Sequence, residues 1–334
     1  MADKTNSMAA LYGKLQTVGY SRAYINSLLP DWWDDAIAET QSGYQEASLR
    51  LGHLFGVQPG TLRNHDAHPT LCVPSGRRFK HQVGHKAQHL DLACALAMSA
   101  ARLVFKVLPA KVERVVIPEA RLIRECLLQE NAYISFSVLL QYVWSLGIPV
   151  IFLQHLPRNT KKMAGLAFES EAQPAIVLTS GRSHGFLLFD LAHELAHIAL
   201  GHVANGRCVV DQDIDAGADD PDERAANQYA IEILTGNPDC KIVPSGRVLR
   251  GPELAKAAIL YGEQNRIDPL HVALNYGHTQ GHWGVAQSAI KAISEGMPTD
   301  QTVLRNKLLA ELRENDIDDD DLAAISRLIG ARVE

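Results

Sequence analysis

The chain contains few cysteines, and their arrangement excludes two common kinds of small domain. No two of the cysteines in the 334-residue chain form a C-x-x-C pair. An odd number of widely spaced cysteines makes neither a disulfide framework nor a cysteine zinc ribbon. We therefore expect a reduced, cytoplasmic protein. The five cysteines are Cys72, Cys94, Cys126, Cys208 and Cys240.

The sequence also lacks an excess of basic residues and a long uninterrupted hydrophobic run. Its net charge is −6, which does not favour a protein that wraps nucleic acid. The longest apolar stretch, residues 137–153, is interrupted by Gln141, Gly147 and Pro149, and the N-terminus has no apolar signal-peptide segment. Because 46% of the residues are apolar, the chain can still form real cores. We expect a soluble protein that does not associate with membranes.

Near the N-terminus, the stretch YQEASLRLGHLFGVQPGTLRN, residues 44–64, has the pattern of a possible helix-turn-helix. Leu51 and Phe55 would face inward, and the turn would begin at Gly56. The second helix is cut short by HDAHP at 65–69, which leaves few side chains to enter a DNA groove. A helical docking module is therefore favoured, and DNA binding remains a possible alternative.

A short β-rich segment lies in the middle of an otherwise helical sequence. GIPVIFLQHL, residues 147–156, is typical of a strand, and MAGLAFESEAQPAIVLTS, residues 163–180, is typical of two strands around a turn at 171–174. Helical patterns occupy residues 8–65, 120–147 and 252–293. We therefore expect a small sheet next to several helices.

The stretch FDLAHELAHIALGH contains an H-E-x-x-H motif at residues 193–197. Its apolar residues recur at helical spacing, so His193 and His197 should lie about one turn apart on the same face. Two imidazoles placed in this way can bind one zinc ion, and Glu194 lies beside the metal without binding it. Zinc lowers the pKa of a bound water toward about 7, and a neighbouring carboxylate can accept its proton. The motif therefore predicts a zinc-dependent peptidase with Glu194 as the catalytic base.

A catalytic zinc needs a third protein ligand, for which two candidates follow the motif. If the helix continued, His202 would lie on the side opposite His193, so we set it aside. Glu223 lies in DDPDERAANQYAIEIL, where Asp220 can cap a new helix and Gly236 can end it. Glu223 could bind the metal, or it could be only the capping-box partner of Asp220.

These residues resemble the ImmA/IrrE family of metallopeptidases, and the similarity runs from about Val138 to Leu234. The resemblance implies a gluzincin-like site whose metal ligands are His193, His197 and Glu223. The glutamate belongs to the family pattern E-x-x-A-[DN]. Here the pattern ends in Asn227, where an aspartate is often found.

The resemblance also implies a regulatory function. Such peptidases commonly cleave a repressor of the lambda-repressor-like class or an antitoxin in a stress, mobile-element or phage-defence response, and many are paired with helix-turn-helix domains. The predicted partner is therefore a protein substrate of the helix-turn-helix repressor type. The alternative is a DNA-binding regulator or antitoxin whose peptidase-like domain is a sensor or docking module.

Together these patterns predict an α+β protein, mostly helical, with a small antiparallel or mixed sheet packed on the H-E-x-x-H helix of a zincin-like core. We expect a helical N-terminal module at 1–75, a metallopeptidase domain at 76–245 and a helical C-terminal region at 246–334. An inhibitory role of Cys72 as a thiolate zinc ligand stays open. His278 or His282 could stabilise an oxyanion, and the sequence does not choose between that role and an aromatic cluster.

Overall fold

The chain folds into two units, each made from segments that are distant in sequence. One unit comprises Met1–Ala110, Leu153–Met163 and Leu309–Glu334, and the other comprises Lys111–Phe152 and Ala164–Leu308. The predicted division into three consecutive domains, with boundaries at 75 and 245, stays a prediction. The computed structural model describes residues 6–73, 77–79, 85–108, 116–157, 160, 163–170, 173–182, 184–204, 208–211, 220–244 and 246–331.

The first unit is mainly helical, and its elements in chain order are α1 (Met8–Thr17), α2 (Arg22–Leu28), the 3₁₀ helix η1 (Asp35–Glu39), α3 (Gln41–Phe55), α4 (Pro59–Arg63), β1 (Arg77–Phe79), α5 (His85–Phe105) and α14 (Asp319–Ile329). The second unit contains α6 (Ala120–Leu127), α7 (Phe136–Ser145), β2 (Val150–Phe152), β3 (Gly165–Ser170), β4 (Gln173–Leu178), α8 (Phe186–Ala199), β5 (Cys208–Asp211), α9 (Pro221–Thr235), α10 (Gly251–Asn265), α11 (Pro269–Gln280) and α12 (Trp283–Ile293). Helix α13 (Asp300–Glu314) contains the last division between the units.

The helix–turn–helix pattern of the first unit forms where the sequence predicts it. Helix α3 ends at Gly56, which adopts the left-handed conformation with φ of 62°, and a Cβ at this position would overlap the backbone oxygen of Ala95. Helix α4 has only five residues. A recognition helix presents several side chains to the major groove, and a five-residue helix offers few of them. The docking interpretation and DNA binding both stay predictions.

The second unit contains the small mixed sheet that the sequence predicts. Its strands lie in the order β5-β3-β4-β2. Strands β3 and β4 pair antiparallel with Leu166 opposite Val177, and β2 runs parallel to β4 with Ile151 opposite Val177. Strand β2 covers only Val150–Phe152 and is shorter than the predicted strand at 147–156. The buried helix α8 packs against β3, β4, α7 and α9, so the α+β prediction is confirmed.

Arg124 of α6 fixes the ends of two helices in the second unit. Its guanidinium donates to the backbone oxygens of Ile233 and Leu234 at 3.1 and 2.7 Å, and to those of Asn265 and Arg266 at 3.3 and 2.8 Å. The last carbonyls of a helix lack partners within the helix and carry the negative end of its dipole. One buried cation therefore holds the C-terminal ends of both α9 and α10.

Among the described residues, every helix is too short or too polar to cross a bilayer.

Candidate metal centre

Helix α8 carries the H-E-x-x-H motif through the interior of the second unit. Leu188, Leu191 and Leu195 are fully or almost fully buried on it, as the apolar spacing predicts. The polar side chains of His193 and Glu194 are just as buried, each with 1% exposure. Buried ionisable groups are costly unless they are paired or bind a ligand, so these side chains require partners in the interior.

Helix α9 brings the third predicted residue to the same place. The helix begins at the N-cap Asp220, has Pro221 in its first turn and ends at the left-handed Gly236, as the sequence predicts. The carboxylate of Asp220 accepts from the backbone N–H of Asp222 at 2.9 Å. Glu223, in the first turn, is 4% exposed and points toward α8.

The two histidines and Glu223 present their donor atoms to one another. The Nε2 atoms of His193 and His197 are 3.0 Å apart. The Glu223 carboxylate oxygens lie 3.3 Å from Nε2 of His193 and 3.7 Å from Nε2 of His197. The carboxylate thus faces the imidazoles, and this geometry favours the ligand interpretation over a purely capping role.

These separations fit a bound first-row metal ion. Zinc bonds of about 2.0–2.2 Å in tetrahedral geometry place neighbouring ligand atoms about 3.4 Å apart, and the three distances lie around that value. Within the described residues, His193, His197 and Glu223 are the group of side chains that could hold a metal ion.

Glu194 lies next to this group and is accommodated by a glycine on the neighbouring strand. Gly165 begins β3, and a Cβ built on it would overlap the Oε1 atom of Glu194. The glycine is therefore required by a close approach of a side chain to the backbone. Its role could not be read from the sequence, where it looks like an ordinary residue at a strand end.

His202 is a supporting residue that the sequence reasoning set aside for an incorrect reason. That reasoning continued the helix to residue 202, whereas α8 ends at Ala199 and Gly201 turns the chain with φ of 74°. The turn brings Nδ1 of His202 within 2.8 Å of Nδ1 of His197, and its Nε2 lies 3.8 Å from Asp222. His202 is thus outside the group of three donors and orients one of them, as outer partners of metal-binding histidines do.

Asp190 of α8, about one turn before the motif, forms an ion pair with Arg182, which precedes the helix. Arg182 donates to both carboxylate oxygens of Asp190 at 3.0 Å, and Asp190 is 2% exposed. In the sequence, Asp190 interrupts an apolar run. A charged residue at such a position could have indicated a buried partner. The pair neutralises a buried carboxylate close to the metal donors.

Three other residues singled out in the sequence, Asn227, His278 and Cys72, lie outside the group of three donors. Asn227 lies one turn after Glu223, and its buried Oδ1 has no hydrogen-bond partner among the described residues. His278 is exposed and packs edge-on against Trp283. The backbone N–H of Cys72, in the first unit, donates to Gly56 at 2.7 Å. The oxyanion and inhibitory roles remain untested.

Comparison with known proteins identifies the segment that contains this site. Residues 145–241 match the family model described as the IrrE N-terminal-like domain, Peptidase_M78. No curated protein and no solved structure matches the chain. The matched segment includes β2 to α9 and therefore all of His193, Glu194, His197 and Glu223. The predicted resemblance to the ImmA/IrrE metallopeptidases, from about Val138 to Leu234, is thus confirmed, and the similarity to the IrrE N-terminal-like peptidase domain covers residues 145–241.

Proposed function

We propose that the chain is a zinc-dependent endopeptidase. The observation that supports this most strongly is the convergence of two imidazole nitrogens and one carboxylate beside Glu194, inside the family-matched segment. Two histidines and one glutamate are a set typical of catalytic zinc, which keeps one coordination position for water or substrate. A zinc ion bound there supplies Lewis-acid activation of water and of the scissile carbonyl.

The residues around the donors have separate tasks in this reaction. The carboxylate of Glu194 accepts a proton from the attacking water and then gives it to the leaving amine, so peptide hydrolysis proceeds without a covalent enzyme intermediate. His202 holds the ring of His197 in orientation from its other nitrogen. The buried surroundings strengthen every electrostatic interaction with the reacting groups.

We further propose that the substrate is a regulatory protein, such as a lambda-repressor-like repressor or an antitoxin in a stress, mobile-element or phage-defence response. The similarity of residues 145–241 to IrrE-type domains supports this choice. A cytoplasmic location, which the cysteine pattern favours, is consistent with it. The helical first unit is then available for docking such a partner.

The test is cleavage of a candidate repressor or antitoxin, chosen from any such protein encoded beside the gene. We expect the zinc-loaded full chain to cut it at one or a few bonds and a chelator to stop the reaction, as mass spectrometry of the products will show. The competing function, DNA-binding regulation, makes the opposite prediction. Under that function, promoter binding in a gel-shift assay persists after Glu194→Gln and no peptide bond breaks.

Gly165→Ala is expected to reduce peptidase activity strongly without removing the metal. The new Cβ would collide with Glu194, so the base must shift by a distance that costs about 10²-fold in rate. The kcat/KM for a cleaved peptide and the zinc content by elemental analysis measure the two effects. Gly181→Ala is the matched control, since a Cβ there meets nothing within 4 Å. Equal activity of the two variants would show that the placement of Glu194 is not critical.

A further inference from the structure

A cavity of about 200 Å³ lies in the second unit beside the metal donors. Its apolar walls come from four helices: Phe186 and Phe189 of α8, Ile231 of α9, Leu274 of α11 and Trp283 of α12. We call it the aromatic pocket. It is smaller than the roughly 300–1,000 Å³ of sites for drug-sized ligands, and it suits a single side chain.

The aromatic pocket is adjacent to the metal donors along both helices that carry them. Phe189 lies four residues before His193 on α8, and the centroids of their rings are 6.1 Å apart. Asn227 also lines the pocket and lies four residues after Glu223 on α9. Four residues are about one turn, or roughly 6 Å along a helix. A peptide held at the metal would therefore place a neighbouring side chain within reach of the pocket.

Two buried polar groups of the pocket lack hydrogen-bond partners among the residues that the structure describes. His271 is 2% exposed, and neither of its ring nitrogens has a partner among the described residues. Its ring stacks on Phe189 at 6.3 Å and 10°. The Oδ1 atom of Asn227 is also buried without a partner in that part of the chain. Buried polar groups are nearly always satisfied, so such groups in a cavity indicate a ligand that completes them.

The charges at the pocket favour an uncharged ligand. Burial lowers the pKa of His271 to about 4, so its imidazole is neutral near pH 7 and offers one donor and one acceptor. The carboxylate of Asp190, on the pocket wall, is neutralised by Arg182, which donates to both of its oxygens. Arg182 also lines the pocket, but its charge is already paired with Asp190. A charged side chain entering the pocket would therefore lose its hydration without finding an unpaired opposite charge among the described lining residues.

We propose that the aromatic pocket binds one uncharged substrate side chain next to the scissile bond, an aromatic side chain with a hydrogen-bonding tip such as tyrosine. The aromatic walls contact the ring, and His271 and Asn227 hydrogen-bond the tip. This assignment rests on the proposed peptidase function and adds a residue preference to it. His271 is then a specificity-determining residue, although it lies outside the motif and outside residues 145–241.

The first experiment measures binding without catalysis. p-Cresol and toluene, which differ by one hydroxyl, are titrated into the full chain and followed by the imidazole ¹⁵N resonances. We expect p-cresol to bind about three- to tenfold more tightly than toluene, as one buried hydrogen bond provides. His271→Phe keeps the ring and its stacking and should abolish the difference, whereas His271→Gln, which keeps a donor and an acceptor, should restore much of it.

The matched control is His53→Phe in the first unit, which should leave the preference for p-cresol unchanged. Thermal unfolding reports whether each variant is folded. If His271→Phe is not folded, Asn227→Leu, which removes the other buried hydrogen-bonding group of the pocket, should weaken the preference for p-cresol, and an unchanged preference in that variant would overturn the proposal. Absence of saturable binding, or the same preference in wild type and His271→Phe, would overturn the proposal. The second result would mean that p-cresol binds elsewhere.

The second experiment separates the pocket from the proposed function itself. The full chain is incubated with a proteome-derived peptide library, and the residues flanking each cut are identified by mass spectrometry. Cuts enriched in tyrosine at one flanking position, lost in His271→Phe, support the pocket. Cuts without such enrichment overturn the pocket but leave the peptidase function in place. If no peptide is cut and the zinc-loaded chain also leaves the candidate repressor or antitoxin intact, the peptidase function fails, and the pocket fails with it as a substrate site.

Discussion

Glu223→Gln is expected to lose its zinc to a chelator at concentrations that leave the wild-type protein loaded. The carboxylate lies 3.3 and 3.7 Å from the two histidine nitrogens, and a neutral amide is a much weaker zinc ligand. Loss of an outer-shell partner costs about 10–100-fold in metal affinity, so loss of a direct ligand should exceed about 100-fold. Competition with a fluorescent chelator measures this, and elemental analysis should give one zinc per wild-type chain.

The capping interpretation of Glu223 predicts a different result and has its own control variant. Asp220→Ala removes the observed N-cap of α9, which should cost about 0.5–2 kcal/mol of stability and leave zinc in place. If Glu223→Gln behaves like Asp220→Ala, losing a few degrees of melting temperature but retaining stoichiometric zinc and normal cleavage, Glu223 is only a helix-capping residue. The third ligand would then have to be sought elsewhere.

Glu194→Gln should differ from Glu223→Gln: we expect this variant to keep its zinc but to be inactive. Glu194 is buried beside the donor group and is not a member of it. The amide cannot accept the proton of the attacking water, and loss of a general base costs about 10²–10⁴-fold in rate. Initial rates on the cleaved substrate, together with zinc content, separate this effect from metal loss.

Two comparisons make the result for Glu194 decisive. Glu295→Gln makes the same chemical change at an exposed position and should retain wild-type activity. Gly165→Ala should resemble a milder form of Glu194→Gln, because it displaces the same carboxylate. Wild-type rates for Glu194→Gln with zinc bound would assign the base to another residue.

The sequence predicted the elements of the site because each depends on local patterns. The spacing of apolar residues specified α8, and the 3.6-residue period placed His193 and His197 on one face. Asp220, Pro221 and Gly236 specified the start and end of α9 through ordinary capping preferences. The meeting of Glu223 with the histidines followed from the family resemblance, since no local rule gives the distance between two helices.

The supporting residues depend on contacts between parts of the chain that are far apart in sequence. Gly165 is important because β3 passes directly over Glu194. His202 reaches His197 because a left-handed glycine ends the helix early. Arg124 serves α9 from more than a hundred positions away. Contacts of this kind leave no periodic pattern in the sequence from which they could be predicted.

The sequence by itself therefore determined the chemistry of this protein: the H-E-x-x-H helix, the following acidic helix and the β-rich segment beside them. Only the tertiary structure decided which distant segments of the chain pack against these elements. It brought the C-terminal helices with His271 and Trp283 next to the motif, and it joined the N-terminal helices with the last one in a single unit. The physical reason is that a helix face is specified by residues three or four apart, whereas its packing partner is chosen by burial over the whole chain.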